Sequence, residues 1–115
     1  MQHEIQKYLY DIKVAIASIQ EYIENTPDFS SFQSNKLVKR AVEREFEIIG
    51  EAANRIRKLD SEIAIPDARK IIDLRNWVIH GYDKVDDAIL WGVIRKYLPS
   101  LKTQIEALMS EFEGK

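Results

Sequence analysis

The chain has 115 residues, with 17 basic and 19 acidic side chains and a formal net charge of −2, a length that fits one domain over residues 1–115 and leaves no room for a second. It contains no cysteine, which excludes a disulfide framework, a thiolate nucleophile and a thiolate metal site, and its two histidines are too few to suggest zinc. A pI near 5.7 argues against a general nucleic-acid coat protein, so any nucleic-acid contact must be local.

Glycine and proline number only 4 and 3, about half the usual combined share of roughly 12%. A sandwich or small barrel needs frequent turns and would use more of them, so long helices are expected. No apolar run reaches the roughly 18 residues of a membrane span, and the polar start Met1-Gln2-His3-Glu4 does not read as a signal peptide. The expectation is a cytoplasmic chain with no membrane partner.

From Ile5 the apolar residues Ile5, Tyr8, Leu9, Ile12, Ile16, Ile19 and Ile23 recur in steps of three and four and predict a first helix. Asn25-Thr26-Pro27-Asp28 ends it, because Pro27 lacks an amide donor and pushes Thr26 out of helical geometry. A second helix is expected to begin among Ser31 to Asn35, where several capping residues stand together, and to run to about Leu59. Its stripe is Val38, Val42, Phe46, Ile49, Ala53 and Ile56, interrupted by Gly50, which costs about 1 kcal/mol relative to Ala.

Ile65-Pro66-Asp67 predicts the start of a third helix that ends at Gly81. After a loop over Tyr82 to Val85, Asp86 reads as the N-cap of a fourth helix, with Val85 and Leu90 forming a hydrophobic staple. Trp91, Ile94 and Leu98 continue its stripe, Pro99 kinks or divides it, and Leu101, Ile105, Leu108 and Met109 resume it. The fold class expected is all-α, an antiparallel up-and-down bundle of four to five helices.

The third helix carries the unusual residues. On a wheel of about 100° per residue, Arg75 falls inside the apolar arc of Ile71, Ile72, Leu74, Val78 and Ile79. Glu45 falls near the centre of the second helix's arc, so a Glu45–Arg75 pair is one expected structural contact. Asn76 and His80 are four apart and share another face. His80 lies next to the helix C-terminus, where the dipole favours its protonated form.

Taken singly, such residues are structural ion pairs, surface histidines or packing tyrosines; their clustering within Arg75-Asn76-Trp77-Val78-Ile79-His80-Gly81-Tyr82 is what calls for a function. That segment resembles the Arg-x-x-x-x-His-x-Tyr signature of HepT-like toxins in the HEPN superfamily. Ala41 through Ala53 resembles the family's second-helix block, and Asp83 through Pro99 its downstream pattern. One departure lies outside the signature: Asp67 stands where the family pattern places Trp after Ile-Pro.

The resemblance implies a HEPN-like helical bundle and a metal-independent endoribonuclease with no cofactor. The residue types suit that reaction. RNA carries its own nucleophile in the 2′-hydroxyl, so the protein need only move protons and stabilise charge on phosphorus. His80 can act as general base or acid near neutral pH, Arg75 can offer a planar fork of donors to phosphate oxygens, and Asn76 can orient either.

Cleavage by this route needs one group to take a proton and another to give one, yet each chain supplies a single well-placed imidazole. A two-fold homodimer would bring two copies of His80 and Arg75 into one cleft, as the resemblance also implies. The resemblance further gives Tyr82 as the hydroxyl that a partner nucleotidyltransferase antitoxin of the MNT type adenylylates, which would crowd the cleft against RNA.

Lys36, Arg40 and Arg44 recur along one edge of the second helix, and Arg69 and Lys70 precede the signature. Glu43, Glu47 and Glu51 are interleaved with them, which favours a solvated face over an RNA track. The alternative function is a non-catalytic HEPN module that binds and assists a nucleotidyltransferase. The complete signature favours catalysis, because binding alone gives no need for Arg, Asn, His and Tyr together.

Overall fold

The structure, a computed structural model, describes residues 2–63, 65, 72, 73 and 87–113. Among these are five helices and no strand: α1 (Gln2–Tyr22), α2 (Phe29–Ser34), α3 (Lys36–Leu59), α4 (Asp87–Lys96) and α5 (Leu98–Glu113). The protein is an all-α bundle.

The apolar stripe of α1 is the spine of the core, with Ile5, Leu9, Ile12, Ile16 and Ile19 all buried. They face α3, whose Val42, Phe46, Ile49, Ala53 and Ile56 are buried, and α5, which contributes Leu98, Leu101 and Ile105. Burying a side chain of this size stabilises by about 1.5–3 kcal/mol before entropy is charged against it, so this stripe dominates the fold. Two polar contacts set the relative direction of α1 and α3. Tyr8, early in α1, lies close to Arg55 late in α3, whereas the Tyr22 hydroxyl at the end of α1 donates to Glu45 in its middle. The two helices are therefore antiparallel.

The region between them differs from the single start expected at Ser31 to Asn35. The Thr26 amide donates to the Ile23 carbonyl at 2.9 Å, and Asp28 then caps a separate short helix, accepting from the Ser31 amide at 2.8 Å. A six-residue helix has almost no stability of its own. What holds α2 is Phe32, fully buried and packed on Trp91 of α4 with ring centroids 5.1 Å apart. Asn35 breaks the path with extended backbone and restarts it as the N-cap of α3, accepting from the Val38 amide at 3.0 Å.

Pro99 divides the last stripe, as its missing donor predicts. It lies in the first turn of α5, where an amide would have no helical partner, while Tyr97 forms the joint. The joint stays bonded on both sides, since the Tyr97 amide reaches Val93 and the Leu101 amide reaches Tyr97, each at 2.9 Å. Most of the predicted third helix and its cap at Gly81, and the predicted N-cap Asp86, lie outside the described residues. Ile72 and Asp73 are helical, and Ile63, Ile65 and Ile72 pack half-buried against the core.

Candidate active site

Arg75, Asn76, His80 and Tyr82 lie outside the described residues, as do Arg69 and Lys70. The described structure supplies the frame on either side of them. Before the signature, the helical pair Ile72 and Asp73 is tied to the core through Ile72. After it, α4 opens with Asp87, whose carboxylate takes the Lys39 ammonium of α3 at 3.1 Å. Both side chains of that pair are largely shielded, at 22% and 25% exposure, so screening weakens it less than a surface pair. Asp87 also sits in the first turn of α4, where the helix dipole favours a negative charge.

Glu45 is the predicted residue that the described structure does place. It is half-buried on α3, with buried Val42 and Ile49 one turn to either side, so its carboxylate stands in the apolar arc as its sequence position implies. The Tyr22 hydroxyl donates to Glu45 Oε2 at 2.9 Å across the α1–α3 contact. That hydrogen bond holds the Tyr22 phenol above its ordinary value, with burial and the carboxylate's negative charge acting in the same direction. Among the described residues, the ion pairs engage other carboxylates, and Glu45 is held by Tyr22. The Arg75 half of the expected Glu45–Arg75 pair lies outside the described residues.

Sequence reasoning had not singled out Tyr22. One signal was present, because Tyr22 follows Ile19 by three and so extends the α1 stripe by a turn. Its hydroxyl partner, 23 residues away, could not be read from spacing.

The basic edge of α3 is a solvated face. Arg40 pairs with Glu43 and Arg44 with Glu47, both at 3.3 Å and both with the arginine well exposed, while Lys36 is exposed in the first turn. The interleaved glutamates offset the positive charge of that edge, each arginine meeting one of them through a single terminal nitrogen. No helix among the described residues is long and apolar enough to cross a membrane.

Comparison with known proteins identifies the family. The family model described as "Ribonuclease HepT-like" matches residues 12–108. The chain is similar to "Probable ribonuclease HepT" of Thermococcus cleftensis, 36% identical over 112 residues that cover 94% of this chain and 98% of that one. It is similar also to "Putative RNase MJ1380" of Methanocaldococcus jannaschii, 31% identical over 105 residues covering 90% of this chain and 94% of the relative. No solved structure matches. A family match across nearly the whole chain, joined to relatives matched along almost their full length, places this protein in the HepT-like ribonuclease family of HEPN proteins.

Proposed function

We propose that the protein is the toxin of a HepT/MNT-type toxin–antitoxin pair and acts as a metal-independent endoribonuclease whose site is shared across a homodimer. The observation that carries this reading is the signature from Arg75 to Tyr82, complete in a chain matched to the HepT-like ribonuclease family over residues 12–108.

In the proposed reaction the 2′-oxygen of RNA bonds to the adjacent phosphorus while the bond from phosphorus to the 5′-oxygen breaks. The products are a 2′,3′-cyclic phosphate and a 5′-hydroxyl. One His80 takes the 2′ proton as general base, and the partner subunit's His80 gives a proton to the departing 5′-oxygen. Arg75 meets the charge that builds on the non-bridging phosphate oxygens, and Asn76 orients the imidazole or the phosphate. Adenylylation of Tyr82 by the antitoxin would add a phosphate and a nucleoside beside this cleft and repel the RNA backbone.

The test is to incubate the purified protein with RNA in the presence of a chelator, beside His80→Ala. Cleavage that the substitution abolishes, with cyclic-phosphate ends, supports the reading. A stable, dimeric wild-type protein that leaves RNA intact while stimulating a partner nucleotidyltransferase would establish the binding-module alternative instead. Antitoxin and ATP should silence the wild type but not Tyr82→Phe.

A further inference from the structure

We propose that the exposed face of α1 is a self-pairing surface, on which a second copy of this chain lays its own α1 antiparallel about a two-fold axis at Val14. The helix carries two stripes. Ile5, Leu9, Ile12, Ile16 and Ile19, in steps of four and three, are buried in the core that α1 forms with α3 and α5. His3, Lys7, Tyr10, Val14, Ala17 and Glu21, in the same alternating steps on the opposite side of the helix, are all exposed. A helix packed on one core needs only the first stripe. The second has the spacing of a coiled-coil seam, and its middle is apolar, with Tyr10 57% and Val14 44% exposed.

The charges on the seam identify the occupant and its direction. Lys7 and Glu21 each stand seven residues from Val14, so at a seven-residue repeat the three fall on one line along the helix. With Val14 on the axis, antiparallel pairing lays Lys7 of each copy beside Glu21 of the partner subunit, so opposite charges meet at both ends of the contact. A parallel pairing would set lysine on lysine and glutamate on glutamate. The antiparallel register also brings Tyr10 level with Ser18 of the partner subunit, next to Ala17, and both of these are small enough to leave room for the ring. Lys7 holds Asp11 at 3.1 Å in an exposed pair that solvent screens, so its ammonium can turn to a new carboxylate at little cost. None of this needs a residue of the signature, and it holds whether or not the protein cleaves RNA.

The chain has no cysteine, so single cysteines placed on α1 report the register. Val14→Cys should link two chains through a short bis-maleimide, because the two thiols meet at the axis. Lys7→Cys alone should not, since its two copies would stand about 21 Å apart, about fourteen residues at roughly 1.5 Å each. Linking through Lys7→Cys, or none through Val14→Cys, would overturn the arrangement.

Sedimentation of the full chain is the second readout. Tyr10→Glu alters a side chain that the fold leaves exposed, and it should halve the association state with the helical spectrum unchanged. Lys7→Glu should raise the dissociation constant about tenfold, and adding Glu21→Lys should restore it. A monomeric wild type, an association state unmoved by Tyr10→Glu, or a charge reversal that the second substitution does not rescue would each overturn the proposal. So would a Tyr10→Glu variant that keeps its association state but no longer binds the antitoxin, since the face would then belong to another protein. Cleavage is scored separately: self-association through α1 without RNA cleavage counts against the proposed function alone.

Discussion

Lys39 and Asp87 join α3 to the start of α4, and their energy can be worked out in advance by contrast with a second pair of equal length. Lys39–Asp87 and Lys7–Asp11 both close at 3.1 Å, but the first is 22% and 25% exposed and the second 68% and 38%. At 3.1 Å and an effective dielectric of about 20, the gross attraction is about 5 kcal/mol, most of it cancelled by desolvation. A net coupling of about 1–2 kcal/mol is expected for Lys39–Asp87. For the exposed pair about 0.2–0.4 kcal/mol is expected, since solvent screens it and a lysine four residues before an acid is the weaker orientation on a helix.

The perturbations are Lys39→Met and Asp87→Asn, singly and together, followed by urea denaturation. Asp87→Asn alone will cost more than the coupling, because it also removes a charge that favours the α4 N-terminus. The double-mutant cycle cancels that part. Raising salt from about 0.05 to about 0.5 M should erase the Lys7–Asp11 coupling and leave most of the Lys39–Asp87 coupling. Equal couplings for the two pairs, or equal salt sensitivity, would refute the argument from shielding.

Phe32→Ala should destabilise by about 3–5 kcal/mol in urea, because it empties a fully buried site and leaves the face of Trp91 without its partner. Gly92→Ala should stabilise by about 0.5–1 kcal/mol, read as a raised Tm, since Gly92 is exposed within α4 and a methyl group there meets nothing within 4 Å. Asp28→Asn should keep the α2 cap but flatten the acid limb of the stability profile. The Ser31 amide, with the Ser31 hydroxyl acting alongside it, holds the Asp28 carboxyl below its ordinary value of 3.8. Its stabilisation is therefore present above that value and lost as pH falls through the lower folded value, which urea melts between about pH 2 and 5 will show.

What the sequence makes legible is what neighbours in the chain decide. The α1 stripe is carried by spacing alone, and the division at Pro99 follows from one missing donor, so both are expected and both are found. The start of α3 is only half legible. Asp28 and Asn35 are both good caps, and local chemistry lets either begin a helix. Both do so because Phe32 is buried against Trp91, a contact that joins α2 to α4 and has no trace in the spacing of either segment.

The candidate site divides along the same line. Arg75, Asn76, His80 and Tyr82 announce themselves because they stand together in the chain, and Glu45 because it breaks an apolar arc. Tyr22 does neither, since a tyrosine at the end of a stripe passes for packing until its hydroxyl is seen on a carboxylate 23 residues away.

The contrast between the two lysine–aspartate pairs gives this a physical basis. Lys7 and Asp11 can be paired from the sequence because a helix brings i and i+4 together, and for the same reason their contact is exposed and adds little to the tertiary fold. Lys39 and Asp87 are 48 residues apart and meet only because the tertiary fold brings the start of α4 to α3, where the pair is largely shielded and counts for more. Interactions that sequence spacing reveals best are thus the weaker ones. Those that join distant segments, among them Tyr22 on Glu45, come from packing between helices and leave no trace in the spacing of either one.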